Sequence, residues 1–143
     1  PFSHQSFDMI LTTATLEHFY NPFIAFKEMS RVLKPNGILI ASGSFWERWH
    51  GNSCFHFTPG GLKLLCHFSD LQISDIWSGW GFISSISSHA LGLGRFKKYT
   101  YLLQRIFDAF LSQIKGPKTA KKHRFSTSGS FGIFARKTTG HNL

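Results

Sequence analysis

Two histidines lie in a stretch of bulky aromatic residues near the middle of the chain. His50 and His56 fall within residues 45–57, a segment that also holds Phe45 and Trp46. An imidazole titrates near neutral pH, so either histidine could take a proton from a reacting group. The alternative is that both are surface or packing residues. We predict His50 and His56 as candidate catalytic bases, in a loop whose aromatic rings either line an apolar pocket or belong to the core.

The same region concentrates the side chains that bind metal ions. His50, Cys54, His56, Cys66 and His67 follow one another within eighteen residues. Structural zinc sites usually show two short pairs such as Cys-x-x-Cys, and this spacing departs from that pattern. The sequence therefore predicts no metal site. Two cysteines without a paired spacing are typical of a reducing compartment, which favours a cytoplasmic location.

Short apolar runs alternate with helical patterns along most of the chain. Such alternation predicts an α/β fold, with parallel strands and helices on the faces of the sheet. Asn21-Pro22 and Thr58-Pro59 are N-cap and first-turn signals for two helices. The predicted elements are strands at 7–12, 38–41, 71–77 and 131–135, and helices at 22–34 and 59–68.

Three motifs in the first 42 residues resemble a known enzyme family. They are Ser6-Phe7-Asp8-Met9-Ile10-Leu11, then Leu16-Glu17-His18, then the run from Phe26 to Ile40 that contains Arg31-Val32-Leu33-Lys34-Pro35-Asn36-Gly37. Together they resemble the middle of a class I S-adenosylmethionine-dependent methyltransferase of the type 11 kind. The resemblance is densest over residues 1–42, weaker to about residue 82, and returns at residues 130–137.

The resemblance implies a partial Rossmann-like sheet. In that family the strand order is 3-2-1-4-5-7-6, and this chain would supply strands four to seven. The glycine-rich loop after strand one and the acid after strand two have no counterpart here. We therefore expect the carboxyl-terminal half of a domain, inactive alone, with a partial core at 1–82, an insertion at 83–129, the final strand at 130–137 and a tail at 138–143.

The resemblance also implies a cofactor and its contacts. The cofactor would be S-adenosylmethionine, approached by Thr13, Ala14 and Thr15 after the first strand and by His18 near its methionine end. Phe45 and Trp46 would contact the substrate, a small-molecule or lipid-like methyl acceptor. The alternatives are that residues 13–15 only turn the chain and that His18 is a structural helix residue.

The positive charge is concentrated in one segment. The chain carries a net charge of +9, yet residues 95–125 hold nine basic residues and a single acid. Residues 95–115 have the spacing of an amphipathic helix, and residues 118–130 are predicted to be mobile. The helix could cap the active site, bind an anionic membrane surface through residues 95–124 or, less favoured, bind nucleic acid. A non-catalytic binding module built on this helix is the alternative function.

Overall fold

The computed structural model describes residues 2–47, 49–89 and 97–138. Their elements, in chain order, are strand β1 (Phe7–Thr12), a 3₁₀ helix (Leu16–His18), α1 (Pro22–Val32), β2 (Leu33–Ser44), α2 (Pro59–Phe68), β3 (Leu71–Ser78), α3 (Phe82–His89), α4 (Lys97–Lys115), α5 (Pro117–Ser126) and β4 (Ser130–Lys137). Among these helices, none has the length and apolar content of a segment that crosses a bilayer.

The four strands form one sheet in the order β1-β2-β4-β3. This is the order 4-5-7-6 that the family resemblance implies, so the predicted partial Rossmann-like sheet is confirmed. β1 and β2 pair in parallel, with Thr12 opposite Ala41. Both strands therefore end at the same edge of the sheet.

The two predicted caps are present. The Asn21 side chain accepts a hydrogen bond from the Ile24 amide, and the Thr58 hydroxyl accepts one from the Gly61 amide. Each cap satisfies one amide that the first helical turn leaves unpaired. α1 in turn packs against β2 and α2.

The boundaries of β2 differ from the prediction. The strand begins at Leu33 rather than at residue 38, and α1 ends at Val32. The pairing shifts between Phe7–Leu33 and Met9–Ile38, because three additional residues of β2 bulge out of the ladder. Asn36, with φ 63°, makes the turn inside this bulge.

Most of the stretch predicted to be mobile is helical, because residues 117–126 form α5, and its mobility stays a prediction. Gly116 has φ 81° and ends α4, and Pro117 occupies the first turn of the next helix. Proline suits that position because its missing amide would have no partner there. Helix α3 was not predicted, and residues 95 and 96 of the predicted basic helix lie outside the described residues.

The chain divides into two compact units. The first comprises residues 1–44, 50–77 and 131–143, and the second comprises residues 45–49 and 78–130. The sheet and its two flanking helices belong to the first unit. Its core is built from fully buried side chains on these elements, namely Leu16, Phe26, Leu33, Leu39, Leu62 and Ile133.

Candidate active site

The candidate site lies at the edge where β1 and β2 both end. Ala14 follows β1 and adopts a left-handed conformation with φ 50°. Its amide donates a hydrogen bond to Ser42 Oγ on β2, at 3.1 Å. The turn after β1 is thus anchored to the neighbouring strand. Ligands of open α/β sheets bind outside this edge, where short side chains let a ligand approach the backbone.

Thr13, Ala14 and Thr15 form a tight turn into the 3₁₀ helix. Thr15 Oγ1 donates to the Thr13 carbonyl at 2.9 Å, and the His18 amide donates to the Thr15 carbonyl at 3.0 Å. Thr13 and Ala14 are exposed. Their predicted contact with a cofactor is compatible with this position and stays a prediction.

Glu17 is the polar centre of the site. Glu17 is only 1% exposed, and its Oε1 accepts a hydrogen bond from Ser44 Oγ at 3.0 Å. Its Oε2 is buried and has no hydrogen-bond partner among the described residues. Burying a carboxylate is costly unless charges or donors compensate it. A buried carboxylate oxygen without a donor is therefore a feature that calls for a functional explanation.

His50 and His18 meet beside this carboxylate. His50 Nε2 lies 3.8 Å from Glu17 Oε1, and the two imidazole rings pack edge to face with centroids 5.6 Å apart. Within residues 2–47, 49–89 and 97–138, Glu17, His18 and His50 are the one group of three metal-ligating side chains whose donor atoms lie within 4.8 Å of one another. The structure thus joins a predicted cofactor residue and a predicted base around an acid.

The loop that carries His50 is held to the 3₁₀ helix by backbone bonds. The Cys54 and Phe55 amides both donate to the Glu17 carbonyl, at 2.6 and 3.2 Å. His56, the second predicted base, follows these residues and is exposed. It is not part of the group around Glu17, and its catalytic role stays a prediction.

Phe45 and Trp46 belong to the second compact unit. Their amides both donate to the Gly129 carbonyl, at 2.8 and 2.9 Å. The Trp46 indole is half exposed and stacks on Phe82, with centroids 5.8 Å apart. These rings therefore have a packing role in their own unit, and their predicted substrate contact stays a prediction.

Sequence reasoning missed Glu17 and Ser44 as site residues. Glu17 was named only as part of the motif Leu16-Glu17-His18, and Ser44 was not singled out. The signal for Glu17 was an acid directly after a buried leucine in a three-residue helix. Gly43 completes the arrangement, since a Cβ there would lie 3.0 Å from Leu16 Cβ and 3.4 Å from Glu17 Oε2.

The two cysteines have different environments. Burial raises the pKa of the Cys66 thiol to about 12, whereas Cys54 is exposed. A group with a raised pKa stays protonated, and only the thiolate is a good nucleophile or metal ligand. Cys66 is therefore a packing residue of α2.

We expect a thiol reagent to label one cysteine of the folded chain at pH 8 and both in denaturant. Mass spectrometry of the labelled peptides should place the native label on Cys54. Cys54→Ser should abolish fast native labelling, and Cys66→Ser should leave it unchanged. Rapid labelling of Cys66 in the folded chain would contradict its burial.

The first part of the chain matches the model of one protein family. Residues 1–41 match the model of a methyltransferase domain. Together with the sheet order, this match and the solved structures described below identify the fold. It is a class I S-adenosylmethionine-dependent methyltransferase fold. A search of curated proteins finds no match.

Solved structures with the methyltransferase fold cover nearly all of the chain. The [4+2]-cyclase SpnF superposes with a TM-score of 0.59 at 20% identity, covering 98% of this chain and 53% of SpnF. A SAM-dependent methyltransferase from Methanosarcina mazei gives 0.54 at 18% identity, covering 97% of this chain and 63% of the other. Haemonchus contortus phosphoethanolamine N-methyltransferase 2, in complex with S-adenosyl-L-methionine, gives 0.55 at 14% identity, covering 98% and 35%.

The chain thus spans less than two thirds of each of these proteins. Identities at this level establish the fold and leave the reaction open. SpnF carries the name of a cyclase, so the methyltransferase fold alone does not fix the chemistry.

Proposed function

We propose that the protein takes part in S-adenosylmethionine-dependent methyl transfer to a small-molecule acceptor. The observation that carries this proposal is the edge where β1 and β2 both end, in a sheet with the strand order of the methyltransferase fold. The segment 13–18 lies at this edge and contains the buried carboxyl group of Glu17. This chain would supply one side of the cofactor site. The non-catalytic alternative gains no support from the fold similarity.

The residues at this edge fit one side of such a cofactor. The exposed turn at Thr13 and Ala14 allows close backbone approach, and the buried Glu17 lies in the 3₁₀ helix that follows this turn. S-adenosylmethionine supplies an electrophilic methyl group when bound. The protein's share of the reaction is then to hold the acceptor in line with that methyl group.

His50 is the residue we propose as the base. Its Nε2 lies 3.8 Å from Oε1 of the buried Glu17, so the imidazole is placed beside a carboxyl group at the end of the strands. His18 packs against the same ring and restricts its orientation. His56 is not part of the group around Glu17 and is the second choice.

The acceptor is proposed only as a class. A phosphoethanolamine N-methyltransferase is among the structural neighbours, and this enzyme is named for a small phosphorylated amine. A lipid-like acceptor remains the alternative that the sequence left open. The exposed aromatic loop is compatible with either.

We expect a longer protein, in which residues 1–143 are joined to an amino-terminal half-domain with the glycine-rich loop, to bind S-adenosylmethionine, and residues 1–143 alone to bind it negligibly. The family's glycine-rich loop and ribose-binding acid are not in this sequence, so only one side of the ligand would be contacted. Calorimetry on both proteins measures the difference, and transfer of a labelled methyl group to small amines and alcohols measures activity. A low-micromolar dissociation constant for residues 1–143, or no binding by the longer protein, would contradict the proposal.

Helix α4 supports a second, separate proposal about partners. Its apolar side chains are largely exposed, including Tyr99 at 69%, Phe110 at 58% and Ile114 at 63%. The side that packs is polar instead: Gln104 Oε1 accepts from the Ile83 amide, and the Thr100 carbonyl accepts from Ser84 Oγ.

We propose that this apolar face contacts an anionic membrane surface. Lysines and arginines recur between residues 98 and 124. Each can add about 1 kcal/mol to the free energy of binding to anionic lipid. The single acid, Asp108, is already engaged by Gln104 Nε2 and by Arg124 Nη1, at 2.7 and 3.4 Å.

The chain should accordingly co-sediment with anionic vesicles, bind neutral vesicles less, and keep partial binding at high salt. Phe110→Glu should reduce binding to anionic vesicles at least about tenfold, since burying a charge in the membrane is unfavourable. The control Leu64→Glu, an exposed leucine of α2, should have little effect. Binding that vanishes entirely at high salt would indicate nucleic acid or another polyanion instead.

A further inference from the structure

We propose that Glu17, His18 and His50 form a binding site for a divalent transition-metal ion. The expectation of no metal site rested on the spacing of His50, Cys54, His56, Cys66 and His67, and it did not consider Glu17 or His18 as ligands. The fold brings them together, since residues 17 and 18 follow β1 and residue 50 follows β2. The proposal does not depend on methyl transfer.

The geometry supplies three donors from one compact unit. One donor atom from each side chain lies within 4.8 Å of the other two. Ordinary distances from a metal ion to nitrogen or carboxylate oxygen ligands are about 2.0–2.2 Å. Small rotations of the two imidazoles would bring all three donor atoms to such distances from an ion placed between them. Neither histidine is buried, so both rings have room for that adjustment.

The buried carboxylate is the second observation. Glu17 Oε1 points toward His50 at 3.8 Å, a distance too long for a hydrogen bond, and Oε2 lacks any donor among the described side chains and backbone. A cation beside this carboxylate would compensate the cost of burying its charge.

The surroundings resemble a supporting shell. Ser44 Oγ donates to Glu17 Oε1 at 3.0 Å, and the Cys54 and Phe55 amides fix the Glu17 backbone. Hydrogen bonds of this kind orient metal-binding carboxylates in known sites. Glu17 is thus oriented before any ion arrives.

The donor set favours certain ions. Two imidazoles and one carboxylate are typical of Zn²⁺, Fe²⁺, Co²⁺ or Mn²⁺ sites with open positions. Mg²⁺ prefers oxygen ligands and is disfavoured here. An open position on such an ion could bind the oxygen of a substrate or a water molecule.

Cobalt binding to the full 143-residue chain tests the site. We expect one Co²⁺ per chain in equilibrium dialysis, with visible absorption and without the intense near-ultraviolet band of thiolate ligation. His18→Ala and His50→Ala should each weaken binding more than about 100-fold, beyond the loss expected for an outer-shell partner. Ser44→Ala should weaken it about tenfold.

His67→Ala is the matched control, because His67 is an exposed histidine of α2 outside the group. It should bind Co²⁺ as the parent chain does. Circular dichroism of every variant separates lost binding from lost folding, and Glu17→Gln is interpreted only if it folds. The proposal is overturned if the parent chain binds no cobalt, if binding survives in both histidine variants, or if Cys54→Ser alone abolishes it.

Discussion

The chain is expected to self-associate through β1, and Met9→Lys combined with Leu11→Lys is expected to make it monomeric. β1 lies at one end of the sheet order, so one of its edges has no neighbouring strand among the residues that the structure describes. Met9 is 54% exposed and Leu11 63% exposed on the same face of this strand. An open edge with apolar side chains is a template for pairing with another chain, and lysines at an edge oppose such pairing.

A groove next to β1 strengthens the expectation. It has a volume of about 440 Å³ and is lined mainly by apolar side chains of β1, α1 and the preceding residues: Phe2, Phe7, Met9, Ile10, Glu28, Met29, Arg31 and Val32. In the class I fold, strand four pairs with strand one at this edge. Apolar surface that such a neighbour would cover is here open to association.

Light scattering after size-exclusion chromatography measures the effect. We expect the parent chain to elute as oligomers or aggregates at high concentration, and the double variant to elute with the mass of one chain. Leu64→Lys is the matched control, because Leu64 is a comparably exposed leucine that lies on α2. Monodisperse, monomeric behaviour of the parent chain would contradict the open-edge interpretation.

The sheet was predictable because its signals are local. The run Phe7–Thr12, the cap Asn21-Pro22 and the turn around Asn36 each specify an element through neighbouring residues. The strand order came from the family resemblance and not from these signals. The extended start of β2 was not predictable, because the pairing of Leu33 with Phe7 depends on a bulge that only the assembled ladder defines.

The candidate site was predictable only in part. The position of Thr13 to His18 follows from the end of β1, so the edge could be chosen from sequence. The meeting of His50 with Glu17 depends on loop bonds between residues 37 or 38 positions apart, from the Cys54 and Phe55 amides to the Glu17 carbonyl. No local pattern encodes such bonds, so His50 and His56 could not be distinguished beforehand.

For the basic helix α4, the sequence predicted the element but not its packing. Its amphipathic pattern predicted a helix correctly, yet the pattern did not indicate which face packs. Two hydrogen bonds from α3 to Thr100 and Gln104 hold the polar side, while Tyr99 and Phe110 stay exposed. Satisfying buried polar groups outweighed covering the apolar stripe within this unit.

Phe26→Ala is expected to lower the free energy of unfolding by about 3–5 kcal/mol. Phe26 is 0% exposed on α1, the helix that packs against β2 and α2. Truncation removes the ring from the centre of the first unit and leaves a cavity that the surrounding strands cannot close. Since a domain is stable by about 5–15 kcal/mol in total, a loss of this size removes a large share of the free energy of unfolding.

Phe23→Ala is the control on the same helix. Phe23 is 40% exposed, and its main contact is an edge-to-face packing with Phe68 at 5.2 Å. Its truncation should cost about 1 kcal/mol. Urea unfolding in the Met9→Lys, Leu11→Lys background keeps association out of the measurement, and the midpoint should fall far more for Phe26→Ala. Equal losses at both positions would mean that Phe26 is no better packed than a half-exposed ring, and that α1 is not seated on a packed core.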